Sequence, residues 1–424
     1  MWYAPLTDDA EGKRLKSGGL ALIVALGATC AFAQGPAPVG LKVGDGRLHL
    51  LADVDSRFDS LVGYFDRAGV PSPEIIFAPR IGASYALESP STLVKFEASA
   101  EYLIFSGLLS PTSRQLTRPQ ALVSLETSFN RDGAVSFDLG DTFTRSDRTQ
   151  NPSAGIGVIS LFNSLSVAAP IHPGGRALEV TPRVTWGVEF FEPLLTGMTT
   201  CPSGDITCTP TLVSAMNYSN LNFALGARYK FLPKTAIVLD TNFDLRTYWN
   251  ASTQNLPAQI LRGRAGLAGL LTPRFSLTLL AGAAYDFGAT QRAAPIGQAE
   301  LMYLVGESTS VAIGYVRDLM PVPVFGTFAD DRGYLNARVG FLGDRLTLTG
   351  TASVDFFTFF APMGMVSSRS DLLIGATVGP SFVVTSWFVI SASYGLGYRS
   401  STQIAQTGIN FVRHEVNLRL TFRY

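Results

Sequence analysis

Cysteine and histidine are scarce in this chain, three of each in 424 residues. So few soft ligands argue against a module built on clustered Cys/His metal sites. No excess charge of either sign is present: 33 Lys and Arg balance 33 Asp and Glu. A nucleic-acid binder would show a basic surplus, so that class is set aside. Beyond the N-terminus no run of roughly 18 or more apolar residues occurs, which argues against a helical membrane protein. A β-barrel stays open, because its strands hide their hydrophobicity in alternation. Charged residues make up only 16% of the chain, while Gly (41), Phe (28) and Tyr (14) are plentiful.

Lys13, Arg14 and Lys16 precede an apolar run from Leu20 to Leu26, then Ala31-Phe32-Ala33. Basic start, short apolar core and small-x-small end read as a secretory signal peptide over residues 1–33. Gly27-Ala28-Thr29 before Cys30 fit a lipobox poorly, so Cys30 belongs to the discarded leader. Residues 34–46 read as a flexible lead-in, and 47–424 as one barrel domain. The two remaining cysteines, Cys201 and Cys208, share one Pro/Gly/Thr-rich stretch. After export, an oxidising compartment pairs them as a disulfide across a small loop.

The last stretch carries the clearest pattern. Val416, Leu418, Leu420, Phe422 and Tyr424 alternate with Glu415, Asn417, Arg419, Thr421 and Arg423. A strand sends successive side chains to opposite faces, so one face is apolar and the other polar. Similar stretches of about 10 to 15 residues recur along the chain, separated by turn residues. Their starts fall near Arg47, Glu74, Thr92, Pro119, Ala134, Val158, Arg176, Met216 and Thr235. They continue near Ala258, Arg274, Ile296, Ser308, Gly333, Arg345, Ser370, Ser386 and Asn410. That is about 18 strands, an even number, as single-chain bacterial barrels have. The expected fold is all-β: a single transmembrane antiparallel β-barrel in the cell outer membrane.

Connections alternate in length. Arg131-Asp132-Gly133, Leu232-Pro233-Lys234, Thr272-Pro273 and Leu342-Gly343-Asp344 are tight turns. Ser60–Pro73, Phe191–Ala215, Asp318–Arg332 and Phe357–Arg369 are longer loops. Short periplasmic turns and long outer loops are the barrel arrangement. About 18 strands spaced about 4.8 Å give a diameter of roughly 35 Å, room for an aqueous channel unless an outer loop folds in.

Parity then assigns a polar lumen face. It holds Lys95, Glu97, Glu101, Glu126, Glu179, Arg183, Arg228, Lys230, Asp240, Asp244, Arg246, Arg262, Arg264, Arg338, Arg419 and Arg423. Facing strands could set Asp244 against Arg262. Such charges either handle a hydrated solute or simply wet and brace a wide bore. Phe356, Phe357, Phe359, Phe360, Met363 and Met365 read as part of the aromatic girdle at the membrane surface, the other reading being a lid or partner-binding loop. His49, His172 and His414 are scattered, and only the first and last could meet, where the barrel closes. No Ser-His-acid spacing is visible, so no enzyme, cofactor or metal is expected.

Asp53-Val54-Asp55-Ser56-Arg57-Phe58-Asp59-Ser60, a loop, then Ile75-Ile76-Phe77-Ala78-Pro79 open the barrel region. This opening resembles that of the outer-membrane β-barrel porin families encoded with exopolysaccharide export systems. The resemblance covers the first two strands. It implies a conduit for secreted polysaccharide working with a separate periplasmic polysaccharide-export protein. The strand ending on aromatic Tyr424 also resembles the insertion signal of bacterial barrels, which implies the barrel-assembly machinery as a partner. Outer-membrane lipid is the partner the alternation itself calls for. Two other functions fit the residues: a general small-solute diffusion porin, and a structural barrel anchoring a surface or motility complex.

Overall fold

A computed structural model describes residues 40–62, 73–150, 157–174, 177–192, 213–250, 257–288, 290–306, 308–322, 326–360, 369–402 and 410–424. Cys201, Cys208, Met363, Met365 and the leader lie outside these residues. The first strands are β1 (Leu41–Val43), β2 (Gly46–Asp59), β3 (Glu74–Glu88), β4 (Thr92–Phe105), β5 (Arg118–Phe129) and β6 (Phe137–Gln150). Next come β7 (Gly157–Ala168), β8 (Leu178–Glu192), β9 (Tyr218–Leu232), β10 (Thr235–Tyr248), β11 (Ala258–Thr272), β12 (Phe275–Asp286) and β13 (Ala293–Val305). The last are β14 (Thr309–Val322), β15 (Gly326–Phe341), β16 (Leu346–Phe360), β17 (Arg369–Thr385), β18 (Phe388–Ser401) and β19 (Phe411–Arg423).

Every strand from β2 to β19 pairs antiparallel with its neighbours in sequence. The ring closes where β19 lies against β2, with Arg419 opposite Asp55 and Phe422 opposite Ala52. Eighteen strands therefore form a closed barrel with no edge, the form that satisfies every backbone group in a bilayer. The lead-in is not wholly flexible: β1 folds back on the start of β2, Leu41 opposite Leu48.

The two faces separate as alternation demands. Ile81, Ile313, Leu418 and Val416 stand exposed on the outer face at 70%, 59%, 49% and 48%. The alternate positions of the strands turn inward, and many are buried and charged, among them Asp53, Asp55, Arg57, Arg262 and Asp355. Aromatic side chains cap the apolar belt at its rims. Phe388 stacks on Phe422 at 4.9 Å and Phe275 on Tyr303 at 4.7 Å at one end. Tyr285 and Phe287 meet edge to face at 4.6 Å at the other. An apolar belt between aromatic rims around a polar interior is the outer-membrane barrel, and that is where this chain resides.

The short connections gather at one end, which is the periplasmic one by that rule. Leu342, Gly343 and Asp344 turn there with φ of 56°, 63° and 65°, a left-handed path that glycine takes without strain. Both described termini of the barrel, at β2 and β19, lie at the same end.

Three sequence expectations change. The stretch Asp318–Arg332 is not a long loop: β14 reaches Val322 and β15 begins at Gly326. Nearly every described residue from Asp318 to Asp330 is buried, on both parities. A strand pair continuing the wall would expose one face; this one leans into the lumen. The phenylalanine cluster is no simple girdle. Phe356 faces out at 54% exposure, while Phe357 and Phe359 point inward and pack on Phe328. His49 and His414 do not meet. His49 lies at the periplasmic end of β2, whereas His414 lies at the outer end of β19, on the outer face, against the Tyr394 hydroxyl at 2.8 Å.

Candidate pore lining and constriction

All sixteen charged residues assigned to the lumen by parity stand on strands whose partners fix their side. Lys95 on β4 faces Glu126 on β5, 3.8 Å apart and open to water. Glu179 on β8 is opposite Arg228 on β9, and Arg183 is opposite Ala224. Lys230 follows Arg228 on the same face, near the periplasmic rim. Arg338 on β15 is opposite Ser310. Glu97 and Glu101 alternate with Phe96 and Tyr102, which face out. Arg423 ends β19, four residues beyond Arg419 on the same face.

The interior charges are grouped into networks. At the closing seam, Arg419 donates to Asp55 at 2.9 Å, and Arg413 donates to Asp59 at 2.9 Å and to Glu415 at 2.8 Å. Arg57 lies 3.5 Å from Asp55, 3.6 Å from Glu415 and 4.0 Å from Glu101. Arg80 adds a bond to Asp53 at 2.7 Å. A second network joins β17 and β18, where Arg369 and Arg399 both donate to Asp371, at 2.9 Å and 2.5 Å. Buried charges persist only when paired, so these networks brace the wall.

The third network holds the inward strand pair. Arg264 donates to Asp240 at 2.6 Å on the β10–β11 wall. Arg262 binds Asp244 on that wall and reaches the Leu319 carbonyl with two nitrogens, at 3.1 Å and 2.6 Å. Its Nε also lies 3.1 Å from the Asp318 carboxylate. Arg246 donates to the Pro321 carbonyl at 3.2 Å, with its guanidinium 3.9 Å above the Tyr218 ring. β10 and β14 are four strands apart around the ring, so this bond joins the wall to a tip that has left its own place in the ring.

Apolar beds support the tip on two sides. Leu319 is fully buried against Ile260, Ala284, Ala294 and Ile296 on β11 to β13. Val322 and Phe328 pack with Phe357, Phe359, Leu373, Phe411 and Leu61. Gly326, at φ 82°, starts the return strand in a left-handed conformation. The outer half of the bore is thus narrowed by a fixed element, and two guanidinium forks set its position.

Parity missed some of the strongest members. Asp53, Asp55, Arg57 and Asp59 alternate with Val54, Phe58 and the small Ser56, a plain strand signal over seven residues. Asp318, Asp330 and Arg332 were hidden by the loop reading. His172 sits near Glu179 at 3.4 Å, outside any catalytic arrangement. Among the described residues no three His, Cys, Asp or Glu gather as metal ligands.

No family model matches the chain, and no curated protein does. Solved structures with similar layout include OccAB3 of Acinetobacter baumannii (9% identity, 90% of this chain, 100% of that one, TM-score 0.47). OpdQ of Pseudomonas aeruginosa gives 10% identity over 90% of this chain and 98% of that one, TM-score 0.46. The siderophore receptor PirA of the same organism gives 9% identity over 89% and 80%, TM-score 0.45. Likeness at this level carries no information about what passes through this chain.

Proposed function

We propose that this chain is a passive outer-membrane pore for small polar solutes, with the β14–β15 tip as its constriction. The supporting observation is the pair of guanidinium bonds from Arg262 and Arg246 to the Leu319 and Pro321 carbonyls, which hold the tip inside a polar lumen. A wide bore alone would suit many cargoes. A braced element in its outer half favours small solutes over a polysaccharide strand, which needs an unobstructed path. A barrel serving only as an anchor has no need of a wet, charge-lined interior, and conduction separates the two.

The test is reconstitution of the purified chain in planar bilayers and in liposomes. Discrete current steps, with swelling rates that fall steeply as solute size grows, are expected. Absence of current steps from correctly folded protein overturns the reading. Large polymer crossing as readily as small sugars removes the constriction.

A further inference from the structure

The inward tip carries one carboxylate more than its cations can serve. Asp330 of β15 lies directly opposite Asp318 of β14, so two carboxyl groups face each other across the strand pair. Like charges placed so are destabilising unless a counter-charge or a proton relieves them. Both are buried, at 6% and 7% exposure. Asp318 is well served: Arg262 lies 3.1 Å away and the Leu319 amide donates to it at 2.8 Å. Asp330 is served poorly. Arg332 reaches it at 3.2 Å, but the same guanidinium binds Asp355 of β16, and the Asp330 Oδ1 accepts no hydrogen bond. Three carboxylates therefore share two guanidiniums, and Arg262 is also claimed by Asp244.

The other charged groups around the tip do not make up the deficit. On the outer face at this level Arg317 and Asp331 pair with each other at 3.0 Å. An outward charge pair also sets this level above the apolar belt. On β12, Asp286 adds a carboxylate behind Thr290, whose hydroxyl meets that of Thr327 on the tip at 3.0 Å. On β17, Arg369 lies over the Phe359 ring and is paired with Asp371. Arg246 is turned to the Pro321 carbonyl and the Tyr218 ring. Burial pushes the Asp330 carboxyl up to about 7, with Arg332 opposing the rise and Asp355, Asp318 and Asp331 adding to it.

Resting on the pore reading above, we infer that Asp330 is a proton-operated catch on the constriction: protonated, it lets the tip lie against the wall, and ionised, it loosens that hold. The sign follows from the two states. With the tip docked, the charged form is buried opposite Asp318; with the tip swung free, the carboxyl is hydrated and titrates at about 4 like any other. Docking is therefore unpenalised below about pH 4, weakens as the pH climbs, and is weakest above about 7. The Arg262 and Arg246 forks act at every pH, so the proton sets how often the tip leaves the wall.

The experiment records single pores of the full chain in planar bilayers between about pH 5 and about pH 8. Two current levels are expected, the upper roughly 1.5- to 2-fold the lower. The ratio of time in the upper level to time in the lower should rise on the order of a hundred-fold across that range. Asp330→Asn, which cannot ionise, should abolish the rise. Asp355→Asn leaves Arg332 to Asp330 alone and should cut the rise about ten-fold. Asp344→Asn, at a periplasmic turn, should leave it whole. Infrared spectra of the folded protein near neutral pH should show a protonated-carboxyl band that Asp330→Asn removes. A rise as large in Asp330→Asn or Asp355→Asn as in wild type, a rise lost equally in Asp344→Asn, an upper level favoured by acid, a single level at every pH, or no such band overturns the inference while the pore stands. Absence of current steps from folded protein fails both readings together.

Discussion

Removing the Arg262 fork tests whether the inward strand tip limits flow. Arg262 alone holds the Leu319 carbonyl twice and faces both Asp244 and Asp318. Deleting it by itself would strand two buried carboxylates, at a cost of about 3–5 kcal/mol. The triple change Arg262→Met, Asp244→Asn and Asp318→Asn removes this fork without leaving bare charge, and adding Arg246→Met, Leu319→Ser and Phe328→Ser releases the second fork and the two apolar beds. Size then sets the expectation. A backbone diameter of roughly 35 Å, less about 5 Å of side chain on each side, leaves a bore of about 25 Å. Two strands with side chains, about 10 Å thick and reaching about 20 Å across, cover roughly two-fifths of that area. Conductance should therefore rise roughly 1.5- to 2-fold when the tip swings free, since ion flow follows open area. Single-channel recording in planar bilayers gives the number, and circular dichroism confirms an intact barrel. Unchanged conductance in the folded sixfold variant would mean that the tip does not limit flow.

The remaining expectations concern the wall. Asp141 on β6 faces the lipid side, with Asn163 of β7 donating to it at 3.1 Å as its polar neighbour. A carboxylate in the belt is unfavourable, so Asp141→Leu with Asn163→Leu should stabilise the barrel by about 1–2 kcal/mol, read as a higher melting temperature in detergent. Arg419→Ala should destabilise by roughly 2 kcal/mol, less than for a fully isolated pair because Arg57 still stands 3.5 Å from Asp55; urea unfolding from lipid vesicles measures it. Gly282→Ala should cost more than an exposed substitution, because its Cβ would collide with the Gly263 carbonyl across the β11–β12 pair. Loss of the heat-modifiable gel shift at a lower temperature is its readout.

Where alternation is clean, sequence and structure agree closely. Thr235 and Ala258 open their strands as the pattern says, and Leu346 and Phe411 do so one residue after the expected start. The start of β15 was misplaced at Gly333, and its cause is physical. A wall strand has one lipid face and one water face, so polarity alternates. The described residues of the tip, 318–322 and 326–330, have protein on both sides, so Leu319, Val322, Phe328 and Ala329 are all buried and the period of two disappears. Pro321 and Gly326 then look like loop punctuation. The same bend hid Phe357 and Phe359, which read as a surface girdle because nothing local says that a strand tip waits inside to receive them. At the seam, by contrast, Asp53 to Asp59 carries the alternation openly, because that strand has lipid on one face and the lumen on the other.

The latch on the inner tip grips peptide oxygens. Leu319 and Pro321 are held through atoms every residue possesses, so those hydrogen bonds survive a change of side chain, while Leu319, Val322 and Phe328 must stay apolar to keep their beds. The tip is therefore a replaceable insert in a fixed housing: redesigning its surface offers a way to retune which molecules the channel admits, while the surrounding cylinder is left alone.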